Sequence, residues 1–253
     1  MKKILTAIVL VFSAGEACAA DMPAAAPYAR APAVVSAAYD WTGCYIGVEG
    51  GENWGRSEQI ARSGPAAGAS ITGGFDLSGG IAGGTVGCNY QISSFVIGIE
   101  NDYSWTNKKG SASDRLPFNT AATSSTSEKW VDTLRGRVGY SWDQYLLYVT
   151  GGGAWAGTSV NVSRLASVTD SQTRTGWVAG VGGEWAAWTG PWGALSLKLE
   201  YLHADFGTQQ YINPPVITPN GTAVTRDVKL TDDMVRVGMN LKFNWGNPVV
   251  AKY

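Results

Sequence analysis

The sequence predicts an all-β fold: an eight-stranded antiparallel up-and-down transmembrane β-barrel with short periplasmic turns and long extracellular loops. Three observations carry that expectation. Eight segments alternate apolar and polar residues with period two, the connections between them alternate short and long, and an export signal precedes them all.

The export signal comes first. Lys2 and Lys3 precede the apolar run Ile4 to Phe12, and small residues follow at Ala17, Ala19 and Ala20. That is the order of a secretory signal peptide, and the run is far shorter than the roughly 20 apolar residues of a membrane-crossing helix. Residues 1–20 therefore read as a signal peptide. Gly15 and Glu16 before Cys18 argue against lipidation there, so Cys18 leaves with the signal. Residues 21–40, rich in Ala and Pro and without periodicity, read as a periplasmic leader. At Trp41 the composition shifts to Gly, aromatic and β-branched residues. Residues 41–245 read as one barrel domain and 246–253 as a C-terminal extension.

Composition narrows the class. The 253 residues include Gly 33 and Trp 11, only 15% are charged, and the net charge of -1 offers no basic surface for nucleic acid. Mean hydropathy is -0.05, and no stretch after the signal is uniformly apolar, which excludes helical spans. A membrane barrel is permitted, because lipid-facing apolar and lumen-facing polar residues alternate and average near zero.

The eight segments fall at 42–51, 78–91, 94–105, 129–142, 145–157, 175–187, 193–206 and 232–245. Each matches the roughly 9–11 residues of a tilted membrane strand. The links near Ser93, Asp143 and Thr189 to Pro191 are very short. Those at 52–77, 106–128, 158–174 and 207–231 are long and rich in Ser, Thr, Gly and Pro, as outer loops are.

Parity sorts the faces. In the third segment Phe95, Ile97, Ile99, Tyr103 and Trp105 oppose Gly98, Glu100 and Asp102; in the eighth, Val235, Val237, Met239, Leu241, Phe243 and Trp245 oppose Arg236, Gly238, Asn240 and Lys242. A soluble lipocalin-like barrel would bury the apolar face. Aromatics at segment ends (Tyr45, Tyr90, Tyr103, Trp105, Tyr140, Trp142, Trp177, Trp185, Trp245) instead suit girdles at two membrane interfaces, so the apolar face meets lipid.

The inward set then contains Glu49, Glu100, Asp102, Glu184 and Glu200 with Arg135, Arg137, Lys198, Arg236 and Lys242. An eight-stranded interior is only wide enough for side chains to fill it, and ionised groups there need partners. The expectation is a closed, ion-paired plug, with Glu100–Arg137 and Asp102–Arg135 as neighbours on adjacent strands. The alternative reading of the same residues is the filter of a narrow porin-like diffusion channel. Cys44 and Cys88 both point outward near the periplasmic end, where an oxidising compartment permits a cross-strand disulfide. Two reduced thiols facing lipid are the alternative.

The runs WTGCYIGVEGGENWG at 41–55, GGIAGGTVGCNYQ at 79–91, VIGIENDYSW at 96–105, DTLRGRVGY at 132–140, YVTGGGAWA at 148–156, TGWVAGVGGEW at 175–185, LKLEYLHADFG at 197–207 and VRVGMNLKFNW at 235–245 resemble the small alphaproteobacterial outer-membrane barrels of the porin-like, OmpA-related superfamily. The resemblance covers nearly the whole mature chain. It implies residence in the outer membrane of a Gram-negative bacterium and a role in envelope integrity or surface interaction. Its implied partners are outer-membrane lipids and lipopolysaccharide, periplasmic chaperones and the barrel-assembly machinery. It further implies binding of haem or another surface ligand through the loops, which offer Trp54, Arg56, Arg62, Lys108, Lys109, Arg115 and Arg164 but no motif. Cys44 and Cys88 stand where aromatics are more common in that superfamily. The last residue is Tyr253, so either it or Trp245 is the aromatic that assembly reads.

Some eight-stranded barrels of this kind act on lipid A through His and Ser near the outer rim. Here His203, with Asp205 two residues on, has no serine brought to it by spacing, and general-base chemistry needs its partner within about 3 Å. No catalytic residue, cofactor or metal site is expected. Asn161-Val162-Ser163 and Asn220-Gly221-Thr222 match a glycosylation pattern that a bacterium does not use this way, and read as loop sequence.

Overall fold

The computed structural model describes residues 39–163, 167–217 and 223–243, with the side chains of 212–217 and 223–224 left aside. The signal peptide, residues 21–38 of the leader, Arg164, Asn220, Trp245 and the C-terminal extension lie outside the described residues.

Nine strands form one antiparallel sheet: β1 (Gly43–Ala61), β2 (Ser70–Ile92), β3 (Phe95–Thr106), β4 (Lys109–Ser113), β5 (Thr123–Trp142), β6 (Tyr145–Ser163), β7 (Ser167–Gly190), β8 (Gly193–Ile217) and β9 (Ala223–Phe243). Val48 of β1 faces Gly84 of β2 on one side and Met239 of β9 on the other. The sheet therefore closes on itself, and no edge is left in the hydrocarbon to carry unpaired backbone groups.

Eight of the strands are full staves. The short β4 continues the stave of β3 after a break at Asn107 and Lys108, pairing with β5 from Ser113 opposite Thr123 to Lys109 opposite Ser127. The periplasmic hairpins are as tight as expected. Ser93 and Asp143 take φ of 58° and 54°, the left-handed turn conformation that lets a two-residue loop follow the strand twist.

Alternation decides which way each residue points. Ile97, Ile99, Val138, Leu199 and Val237 are exposed on the outside, whereas Glu100, Arg135, Arg137 and Glu200 are buried inside. Two aromatic bands bound the lipid-facing zone. Phe95 packs on Tyr140 and Trp142 stacks on Tyr145 at the periplasmic rim, and Tyr103 stacks on Trp130 beside Trp105 at the outer rim. The hydrocarbon-spanning part thus runs from Phe95 to Trp105 in β3 and from Trp130 to Trp142 in β5.

Two expectations are corrected. The segments assigned to long outer loops are mostly strand: β1 runs on to Ala61, β5 starts at Thr123, β6 runs to Ser163, β7 starts at Ser167, and β8 and β9 extend to Ile217 and from Ala223. Outward Ser and Thr alternate there with inward residues that include Ser57, Thr72, Ser124 and Thr126 as well as Val160 and Leu230, so the barrel rises as a collar well beyond the outer girdle. Asn161 accordingly stands on β6. Tyr45 is also misplaced by the girdle reading. It is 3% exposed and points into the lumen, because its neighbours Cys44 and Ile46 take the outward positions.

Candidate functional site

The lumen is filled in layers, and β5 can be read as a ruler along it: Arg137 and Arg135, then Thr133 and Val131, then Glu128, then Thr126 and Ser124, all buried.

At the periplasmic end Trp41 packs with Val96, Leu146, Tyr148 and Ala186, with Tyr39 against it. The Trp41 backbone amide donates to Gln91, 2.7 Å away. Tyr39 and Trp41 therefore pack inside this mouth.

Above Trp41 lies a belt of ionised side chains, each exposed by 2% or less in its side chain. Arg135 reaches Glu100 at 2.6 Å, Asp102 at 2.7 Å and Glu200 at 2.8 Å. Arg236 binds Glu49, Asp102 and Glu200. Lys198 lies 3.1 Å from Glu49 and 3.2 Å from Glu100. Arg137 pairs with Glu184 at 2.6 Å and lies between the rings of Tyr45 and Tyr148, 5.0 and 5.1 Å from their centroids.

The placement of the expected residues is uneven. Asp102 and Arg135 are direct partners, but Arg137 is 3.5 Å from Glu100 and makes its short contact with Glu184. Lys242 does not join the belt. Two residues after Asn240 it has reached the periplasmic rim, where its ammonium sits on the Tyr39 ring and on the Asp40 carbonyl. Five carboxylates therefore face four cations. Tyrosine hydroxyls supplement them: Tyr45 donates to Glu100 at 2.6 Å and Tyr148 to Glu200 at 3.0 Å. Glycines make this possible. A Cβ at Gly87 would lie 2.3 Å from the Tyr45 hydroxyl, and one at Gly182 would lie 2.5 Å from that of Tyr148.

Beyond the belt lies an apolar layer, with Ile81, Val131, Ala154, Val178, Leu202 and Met234 all buried in one cluster. Sequence reasoning missed what stands past the outer girdle. Lys108, expected on a ligand-binding loop, is fully buried, bound to Asp232 and 3.2 Å from Glu128, with Asn53 accepting a further bond at 3.2 Å. Asp232 shares the inward parity of Met234 and Arg236, which could have identified it. Glu128 could not be found that way, because a bulge at Lys129 shifts the register between Glu128 and Trp130. Burial, then the adjacent Asp232 carboxylate, push the Glu128 carboxyl up to about 8 against the pull of Lys108. Higher still, Arg226 reaches Asp114 at 3.1 Å and Ser124 at 2.6 Å, and Arg174 donates to the Tyr211 hydroxyl at 3.1 Å.

The other expected residues are accounted for. Cys44 and Cys88 are opposite each other in the β1–β2 ladder, face outward, and are joined by a disulfide. His203 binds Asp233 at 2.8 Å, and Tyr201 donates to the same carboxylate at 2.6 Å on the outer surface beside Trp177. Asp205 instead caps the Gly207 amide. Of the other supposed loop residues, Trp54 and Arg56 stand on β1 and Lys109 on β4, while Arg62, paired with Asp227, and Arg115 remain in loops.

Two curated relatives, the 31 kDa outer-membrane immunogenic proteins of Brucella melitensis biotype 1 and Brucella suis biovar 1, are each 30% identical over 256 residues, covering 96% of this chain and 100% of theirs. Among solved structures, the outer membrane protease OmpT of Escherichia coli aligns over 79% of this chain and 97% of its own at 9% identity and a TM-score of 0.48. OprG of Pseudomonas aeruginosa aligns over 80% and 97% at 14% identity and a TM-score of 0.42. Residues 17–243 match the family model described as outer membrane protein beta-barrel domain, and with lipid-facing strands closed around a charged interior the chain belongs to that family of outer-membrane proteins.

Proposed function

We propose that the protein is a closed barrel with a structural role in envelope integrity or surface interaction rather than a conduit. The observation that supports this reading is the layered lumen: a cork at Trp41, the ion-paired belt and the apolar layer follow one another with every side chain buried. Diffusion of ions needs a continuous aqueous path, and an eight-stranded bore whose interior is packed leaves none. A selectivity filter would present charge to water, whereas the belt charges face one another.

The collar adds a surface-facing element, since it lifts strand rather than loose loop above the membrane. The Brucella relatives are named as immunogenic outer-membrane proteins, which accords with exposure at the cell surface. On this reading the signal peptide is removed on export, periplasmic chaperones deliver the chain, and the barrel-assembly machinery inserts it.

Conductance of the refolded chain in a planar bilayer tests the proposal, once heat-modifiable gel migration has established that the barrel has formed. A folded barrel that gives no current steps supports it. Reproducible steps whose ion preference changes in Arg135→Gln would replace it with the narrow-channel reading.

A further inference from the structure

Above the outer girdle the outward surfaces of β4, β5, β6 and β7 carry hydroxyl and amide groups and little else. One cross-strand row runs Ser111, Ser125, Asn161, Thr169, and the row beneath it runs Lys109, Ser127, Ser159, Ser171. Strand geometry sets neighbours in a row about 4.8 Å apart and rows roughly 6.6 Å apart, so the groups form a regular lattice on one wall. Lateral bonds hold it in place. Asn161 donates to Thr169 at 2.7 Å, and the Ser159 and Ser171 hydroxyls are 2.7 Å apart. Ser159 is buried within the row, and the exposed or half-exposed hydroxyl and amide groups around it still have donor or acceptor capacity to offer outward.

Charge is confined to the lower edge of this wall. Lys109 begins the lower row and Lys129 bulges out of β5 beside Trp130. Both are exposed, and neither has an ion-pair partner among the described residues. The opposite wall differs, since there Arg62 is paired with Asp227 and Glu58 takes a bond from Ser70.

The depth of the wall selects its occupant. Its lower edge adjoins the girdle residue Trp130, which marks the top of the hydrocarbon, so it begins where the headgroups of the outer leaflet begin. Two unpaired ammonium groups suit phosphate there, an amphipathic indole suits the boundary, and rows of neutral donors and acceptors above suit sugar hydroxyls. The rows contain no aromatic or aliphatic anchor of the kind that supplies most of the energy at protein–protein contacts.

We infer that this wall binds the phosphorylated oligosaccharide headgroup of lipopolysaccharide in the surrounding outer leaflet. The inference rests on the outer-membrane location and is independent of whether the lumen conducts.

The test reconstitutes the refolded chain in vesicles of phosphatidylglycerol alone, with lipid A, or with lipopolysaccharide carrying its full core sugars. The readout is the temperature at which the compact gel band is lost. Lipid A raises that temperature through the lysines, and the full core raises it further through the hydroxyl rows. The triple variant Ser125→Ala, Asn161→Ala, Thr169→Val is expected to lose at least half of the core-sugar increment and to keep the lipid A increment. Lys109→Gln with Lys129→Gln is expected to do the reverse. An unchanged core-sugar increment in the triple variant overturns the inference. So does free core oligosaccharide that reproduces the whole increment in phosphatidylglycerol vesicles, because a dissolved glycan would then be the ligand. If the triple variant forms no compact band in any vesicle, Thr169→Val alone, nearly unchanged in shape, is read by the same criteria.

Discussion

Arg135 holds Glu100, Asp102 and Glu200 at once, so its loss leaves three buried carboxylates short of a partner. Removing one member of a buried ion pair typically costs about 3–5 kcal/mol. Arg135→Gln is expected to fall in that range by denaturant titration of the folded band. Asp102 is shared with Arg236 and Thr133, so crossing Asp102→Asn with Arg135→Gln should give a coupling of about 1–3 kcal/mol. A coupling of zero would mean that the two do not interact in the folded barrel. Glu128 gives a pH signature. Its folded value of about 8 lies above that of an unfolded glutamate, near 4.3, so its protonated carboxyl stabilises the fold fully in acid. That contribution is lost as pH rises through about 8. The unfolding temperature should fall as pH rises from about 4.5 to about 8 and level off above that, and Glu128→Gln should flatten that slope.

At the scale of strands, β1 has two tasks: it pairs with β2 next to it and with β9 across the closing seam. The Cys44–Cys88 bond, linking residues 44 apart in sequence, ties β1 to β2 near the periplasmic rim. Closing a loop of that length typically stabilises by about 2–4 kcal/mol through the unfolded chain. Boiled samples should migrate faster without reductant than with it, and Cys44→Ser with Cys88→Ser should abolish that difference and lower the unfolding midpoint. Equal mobilities together with labelling of both thiols would show the pair to be reduced.

For the whole molecule, closure and filling are linked. A bore narrow enough for eight staves brings acids and bases from six strands into contact, and the same contacts hold the staves to one another. In the closed barrel proposed above, the belt, the apolar layer and the Lys108 group act as successive stoppers. Opening one is therefore expected to leave the barrel electrically silent. Trp41→Ala, which removes the cork but leaves the belt and the apolar layer, should give no current steps in a planar bilayer. Steps in that variant, absent from the parent, would locate the barrier at the periplasmic mouth.

Much of this architecture is legible in the chain because it depends on local rules. Period-two alternation names the strands and their faces, short polar turns such as Asp143-Gln144 name the hairpins, and aromatics at strand ends name the membrane boundaries. The parity of Glu100, Arg135, Arg236 and Glu200 is enough to send them inward. Who meets whom is a different matter, because stagger and strand tilt around a closed barrel set it. They bring Arg137 to Glu184 rather than to Glu100 and carry Lys242 out to Tyr39. The height of the collar was also hidden. A strand outside the membrane carries Ser and Thr on both faces, as β5 does with Ser124 and Thr126 inward and Ser125 and Ser127 outward, and its composition then resembles a loop. Glu128 was obscured by a bulge that resets parity by one residue, whereas Lys108 lies in a strand break that interrupts the pattern but keeps the inward parity of Asp102 and Ser104. Sequence alone thus determined the barrel, its orientation to lipid and the charge of its interior, since each follows from alternation along one strand. Only the tertiary structure decided the pairing, the buried layers and the hydroxyl wall, since each is built from residues on different strands whose relative heights are set by closing the sheet.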